Sequence, residues 1–320
     1  RMSGELESAL ARLQEFQSPN GGFVWLKGGP DDRYMTQHIL SGIGRLKNMQ
    51  AIPEAGAQQL ESIVRSGLSY LDKKIKEDYE NLKKHNKNIT DLWPGHIQIL
   101  YLYMRSFFSD REVPKNVLPA YQYYRNQAKK YWLKQSRYMQ GLIALSLYRS
   151  GDAQTAKNIM ASIKQYAMVN NEMGMYWKDM VYGYYWHQAP VEMHALMIEA
   201  FTEITNDTRA TDDLKTWLIK NKQTNSWKTS KATADACYAL LLRGTDWLEE
   251  APEVKIKMGA LTLSATDHER PGTGNQRNDA VGKPISSNGR PAEAGTGYFK
   301  RTIAADKINA SMGNIEVNLS

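Results

Sequence analysis

The chain has 320 residues with 42% hydrophobic and 23% charged positions, the balance of a folded globular protein and enough length for about two domains. No apolar run is long enough to span a bilayer, so direct membrane insertion is not expected. One cysteine, Cys237, excludes an intramolecular disulfide and any multi-cysteine metal site. The net charge of +7 is spread thinly, with no Lys/Arg cluster interleaved with aromatics, so a nucleic-acid partner is not expected either.

In chain order the first 250 residues read as alternating helices of two kinds. One kind carries a single apolar stripe, as in Leu6, Ala9, Leu10, Leu13 and in Leu60, Ile63, Val64, Leu68, Leu71, Ile75. Such helices face water on one side. The other kind is apolar nearly all round, as in Gly141–Leu147, Val191–Phe201 and Ala236–Leu242, and is expected inside the protein. The predicted outer helices are 4–17, 54–85, 115–131, 152–168 and 210–221. The predicted inner helices are 34–47, 94–108, 136–149, 190–204 and 231–243. The mixed-charge stretch Asp72–Lys87 reads as a solvated face of the second outer helix.

Paired outer and inner helices at irregular spacing favour a closed α/α toroid over an open solenoid, whose repeats are usually uniform. A ring of this kind usually has six hairpins. Five are counted here, so a first hairpin is expected upstream. The predicted organisation is mainly α: a toroid over 1–250, then a small, incomplete β segment over 251–320. All eight tryptophans and seventeen of eighteen tyrosines precede residue 251. After it, Glu253–Met258 and Leu261–Ala265 alternate about Gly259-Ala260, a hairpin signal. Tyr298–Ile303 and Ile315–Leu319 read as further strands, with a Gly/Pro-rich loop over 266–297.

A tryptophan marks each loop into an inner helix: Trp25, Trp93, Trp132, Trp186 and Trp227. The expected role is a structural plug over the helix mouth, its indole N–H satisfied at a loop carbonyl. A ligand-stacking platform is the alternative. Pro94 and Pro190 suit a helix first turn.

Three catalytic readings are open to these residues. Asp235-Ala-Cys237 matches half of a prenyltransferase-type zinc set, but the only later histidine is His268, so no metal is expected. Cys237, in an apolar run without Lys, Arg or His beside it, is expected to be buried and unreactive. The loop Gln17–Trp25 echoes terpenoid cyclases, yet the pairs Asp31-Asp32 and Asp212-Asp213 fit a loop and a helix first turn. A toroid glycosidase needs two carboxylates across an aromatic cleft, for which Asp179, Glu192 and Glu199 are the candidates near Tyr182–Trp186. No Ser-His-Asp, phosphate-loop or dinucleotide fingerprint is present.

The segments Leu13–Gly29 and Tyr34–Leu46 (Tyr-Met-Thr-Gln-His-Ile-Leu-Ser-Gly-Ile-Gly-Arg-Leu) together resemble the bacterial alpha-2-macroglobulin family. Lys222–Leu240 is similar to the last hairpin of that family's thioester domain, and Glu293–Phe299 with Met312–Val317 to the β region that follows it in Bacteroides-like envelope proteins. The resemblance implies a domain of a protease-trapping inhibitor, without turnover or cofactor. It implies proteases and the parent chain's other domains as partners, and a periplasmic or outer-membrane-anchored location. The family's Cys-x-Glu-Gln thioester motif is missing here, because Cys237 is followed by Tyr238-Ala239-Leu240. A histidine tunes acyl transfer in some relatives. His96 is the best-placed candidate, with His194 and His38 next, and a satisfied polar residue near a helix mouth is the bland alternative for each. A toroid carbohydrate-active enzyme is the competing function.

Overall fold

A computed structural model describes residues 2–52, 54–180, 183, 185–222, 227–242, 254–258, 261–264, 310–313 and 315–319. Strand 298–303, loop 266–297 and His268 lie outside the described residues. Backbone contacts divide the chain into Arg1–Leu242 and Arg243–Ser320.

The first unit contains helices α1 (Met2–Glu15), α2 (Arg33–Asn48), α3 (Glu54–His85), α4 (His96–Ser106), α5 (Leu118–Tyr131), α6 (Arg137–Arg149), α7 (Ala153–Gln165), α8 (Pro190–Ala200), α9 (Thr208–Lys220) and α10 (Ser230–Leu241). Local chemistry starts five of them. Asp32, Ser136, Asp152, Asp207 and Thr229 are N-caps whose side chains accept from backbone amides of Met35, Met139, Thr155, Ala210 and Ala232. A π turn, Phe201–Thr205, extends α8 and ends on Asn206 in the left-handed region.

Even-numbered helices are the inner ones. Each packs on the next: α2 on α4, α4 on α6, α6 on α8, α8 on α10. Their outer partners cover them from outside, as α7 covers α6 and α9 covers α8. The series closes on itself, because Arg45 of α2 is ion-paired with Asp235 of α10, 190 positions away. The first and last members of a linear stack could not touch. The protein is therefore mainly α, a helical toroid followed by a small β segment. Ile99–Arg105, Tyr138–Leu147 and Pro190–Phe201 are continuously buried.

Four local expectations are corrected. Helix α10 is one-sided, burying Ala232, Asp235, Ala236 and Ala239 at helical spacing and exposing Leu241. Cys237 falls on its exposed face and is not a buried thiol. Asp72 is buried, not solvated: it accepts from the Tyr101 hydroxyl at 2.6 Å and lies 3.4 Å from Arg105. Helix α7 stops at Gln165, and strands β3 (Met168–Asn170) and β4 (Gly174–Tyr176) form a hairpin there. Its turn needs Gly174, at φ +73°, where a Cβ would sit 2.0 Å from the Asp213 carbonyl oxygen. The loop before α2 also forms a short ladder, β1 (Phe23–Val24) with β2 (Asp31–Asp32).

In the second unit, β5 (Val254–Met258) and β6 (Leu261–Ser264) form the expected hairpin with Met258 opposite Leu261. Strand β7 (Ile315–Leu319) pairs antiparallel with the other edge of β5.

Candidate functional site

The site is built by the loop that resembles the inhibitor family and by the mouth it helps to frame. Gln17 donates through Nε2 to the carbonyls of Gly21 and Ile63, both at 3.0 Å, which ties the loop to α3. Gly21, at φ +94°, lies so close to α3 that a Cβ would stand 2.1 Å from the Ser66 carbonyl oxygen. The Thr36 hydroxyl accepts from the Phe23 amide at 2.8 Å, and Gln37 donates to the Ile97 carbonyl at 3.1 Å. The Gln–Gly-Gly-Phe and Thr-Gln signatures are therefore hydrogen-bonding devices that join α2 to its loop and to α4.

The N-terminal ends of the inner helices converge on one end of the ring. There an open cleft of about 770 Å³ lies between the start of α2, the start of α4 and the loop 185–188. A second hollow of about 260 Å³ shares His96, His187 and Gln188 with it. Beneath Trp186 a narrow pocket follows the axis, lined by His38, Arg45, Tyr138, Lys231 and Asp235 among others.

Seven charges line the axis. Arg45 pairs with Asp235 and lies 3.7 Å from Glu199. Arg149 reaches Glu199 at 2.6 Å and Glu203 at 2.5 Å. Lys231 is 2.9 Å from Asp235 and 3.8 Å from Glu192. Tyr103 donates its hydroxyl to Glu199 at 2.8 Å. Burial would raise the Asp235 carboxyl, but Arg45 and Lys231 overcome it and hold it down at about 2. Burial likewise opposes the Lys231 ammonium, and Tyr138, Asp235 and Glu192 keep it above its ordinary value. Every carboxylate here is held by a cation, so the network clamps helices and offers no idle acid or base.

The histidines separate. His96 is exposed at the first position of α4, its ring 3.9 Å from that of His187. Burial lowers both pKa values, and His96 adds to the effect at His187. His38 is half-buried against Tyr34, and burial first, then Lys231, lowers it to about 4. His194 is fully buried away from the mouth, stacked on Trp217 at 3.5 Å, with Nδ1 2.8 Å from the Pro190 carbonyl and Nε2 3.3 Å from that of Met175. Sequence reasoning missed His187. Its place beside Trp186 and just before the Pro190 helix start was the available signal.

The tryptophans separate as well. Trp227 is buried and donates through its indole to the Leu218 carbonyl at 2.9 Å. Trp186 packs on Tyr34 and Tyr138, and Trp132 is half-buried in a 3-10 turn after α5. Trp25 and Trp93 are not buried plugs: they stand 60% and 55% exposed. Pro94 is one residue too early for the first turn of α4, whose N-cap is Gly95, whereas Pro190 does open α8.

The enzyme candidates are not brought together. Asp179 is bound by Arg137 at 2.9 Å on the surface, and Glu192 and Glu199 are buried in the axial pairs. Asp235 belongs to Arg45 and Lys231, and Cys237 points elsewhere. Asp32 caps α2. Among the described residues no three His, Cys, Asp or Glu side chains gather as a metal site. Among them, too, no helix is long and apolar enough to cross a membrane.

Fold and site thus define a closed helical ring with an ion-paired axis and one open mouth. Among solved structures, the native alpha-2-macroglobulin of Escherichia coli from domain MG7 to the C-terminus is 15% identical over 82% of this chain, with a TM-score of 0.46. The native conformation of the E. coli protein by electron cryo-microscopy gives 14% and 0.46, also over 82% of this chain. The methylamine-reacted Salmonella alpha-2-macroglobulin gives 14% and 0.46 over 79%. The chain spans 37%, 15% and 15% of those three structures' own lengths. No protein-family model and no curated protein matches the sequence.

Proposed function

We propose that this chain is a thioester-type toroid and adjoining β segment of a bacterial alpha-2-macroglobulin-like inhibitor, acting without turnover in protease trapping at the cell envelope. The observation that carries the reading is where the two resembling segments meet. Arg45, in the Gly-Ile-Gly-Arg-Leu stretch, pairs with Asp235 and lies 4.8 Å from the Tyr238 ring, both in the Ala-Asp-Ala-Cys-Tyr stretch. Segments alike to one family at both ends of the helical region thus form the ring's closing contact. The domain division is part of the proposal: toroid to about 250, β segment beyond, with one more hairpin upstream in a longer parent chain. Proteases and the parent's other domains are the partners. Having no Cys-x-Glu-Gln, this piece acts as scaffold and shield rather than acylating agent.

The test uses the full-length parent and this fragment. Trypsin mixed with the parent should lose activity on a large protein substrate but keep it on a small chromogenic peptide. The fragment alone should change neither. Inhibition by the fragment, or none by the parent, would overturn the reading. Methylamine should release a thiol from the parent beyond the Cys237 background if a covalent step is used, and the Cys237 background alone in a purely conformational trap.

A further inference from the structure

The exposed apolar side chains of the ring are unevenly placed. Trp25 and Leu26 before α2, Trp93 before α4, Leu133 before α6 and Tyr166 after α7 are all between 55% and 71% exposed. Each is tied to the mouth end. The β1–β2 ladder, whose turn holds Trp25 and Leu26, runs directly into Asp32, the N-cap of α2. Gln135, two residues after Leu133, donates to the Pro94 carbonyl at 3.1 Å, next to Trp93. The guanidinium of Arg137, the first residue of α6, lies 5.3 Å from the Tyr166 ring. At the opposite end, where the inner helices finish, the exposed large apolar side chains among the described residues are Leu46, Leu118 and Leu241, none of them aromatic and none above 51%. Single exposed apolar residues need no explanation, but their gathering at one end marks an interaction face.

The charges among these tips decide what the face meets. Lys27 follows Trp25-Leu26, and Lys134 follows Leu133 and lies 4.6 Å over the Trp93 ring. The exposed carboxylates Glu15, Asp91 and Asp179 are each held by a cation, Lys27, Lys130 and Arg137 respectively. Lys84, Lys87, Lys134, Lys178, Lys220 and Lys222 end outer helices or lie in the connections after them, and have no carboxylate partner among the described residues. Against them stand Asp31 and Glu172 without a cation. The face is therefore positive and complements an anionic partner. A protein partner would meet a contiguous dry patch poor in lysine. Here the apolar tips stand on separate loops around an open cleft of about 770 Å³, with lysines between them. A lipid surface suits both features. Trp and Tyr settle at headgroup level, lysine stems lie along apolar surface while their ammonium groups reach phosphates, and a fluid interface needs no matching shape.

We infer that the mouth end of the ring is a peripheral binding face for an anionic phospholipid surface, with Trp25, Leu26, Trp93 and Leu133 entering the headgroup layer and the surrounding lysines held at lipid phosphates. The ring lies on the bilayer in this arrangement and sends no segment across it. This goes beyond the inhibitor reading and does not rest on it.

The experiment is co-sedimentation of the intact 320-residue chain with vesicles of phosphatidylcholine, alone or mixed equally with phosphatidylglycerol. At about 1 mM lipid and low salt, about half of the protein or more should sediment with the anionic vesicles and less than about a tenth with the neutral ones. Binding should fall at least about fivefold when salt rises from about 50 to about 500 mM. Lipids brominated on the upper acyl carbons should quench tryptophan fluorescence. Trp25→Ala combined with Trp93→Ala should remove that quenching and weaken binding about tenfold. Lys134→Glu combined with Lys178→Glu should weaken it about fivefold or more, whereas Leu118→Ala at the opposite end should change neither readout. All the replaced side chains are exposed, and an unchanged circular-dichroism melt would show the fold intact. Failure to sediment with anionic vesicles would overturn the inference, as would equal sedimentation with neutral ones or binding that survives both paired variants. Association between copies in analytical ultracentrifugation, abolished by the tryptophan pair while vesicles stay inert, would assign the face to a second copy of the chain instead.

Discussion

Replacing Arg45 tests the closed ring directly. Its guanidinium is largely buried between Asp235 of α10 and Glu199 of α8, and faces the Tyr238 ring. Losing one partner of a buried ion pair costs about 3–5 kcal/mol when the other is left uncompensated. Here Asp235 keeps Lys231 and Glu199 keeps Arg149, so the low end applies, about 3 kcal/mol for Arg45→Met. In a unit of this size that lowers Tm by about 6–12 °C. Asp235→Asn should also destabilise, and the double variant should fall short of the sum by about 2 kcal/mol, since both substitutions remove the same contact. Urea unfolding of the four proteins gives the cycle. Additivity within about 0.5 kcal/mol would refute the reasoning, because independent sites add and touching ones do not.

Acid should unfold the protein in two windows. His38 has its pKa lowered from 6.5 to about 4 in the folded state, so the unfolded chain takes up the proton first; stability is full above 6.5 and falls towards pH 4 by at most about 3 kcal/mol, a share that His38→Gln should remove from the pH–stability curve. Asp235, depressed from 3.8 to about 2, supports the fold above pH 3.8, and that support is lost between about 4 and 2, a step that Asp235→Asn should abolish. Cys237, on the open face of α10, should react with a thiol reagent in the native state at one equivalent per chain; reaction only in denaturant would contradict its placement. Gly21→Ala should destabilise by more than about 2 kcal/mol in chemical denaturation, since the left-handed backbone and the Ser66 carbonyl both reject a Cβ, and a neutral result would show that the loop does not pack on α3.

Sequence alone determined the helices of the first unit and their order, though not the short ladders β1–β2 and β3–β4. Helix periodicity is local, so the stripe on α3 and the all-round apolar run of α6 marked outer and inner helices. The hairpin about residues 259–260 was legible because two strands of alternating residues flank a two-residue gap. Only the tertiary structure decided what each polar residue does. Asp72 sits in a charged stretch yet is buried, because Tyr101 and Arg105 arrive from α4 to satisfy it. Cys237 sits in an apolar run yet is exposed, because α10 buries just the face that meets its neighbours. The pairing of Arg45 with Asp235 and of His96 with His187 joins positions 190 and 91 residues apart, and no periodicity encodes a contact that exists only once the ring has closed.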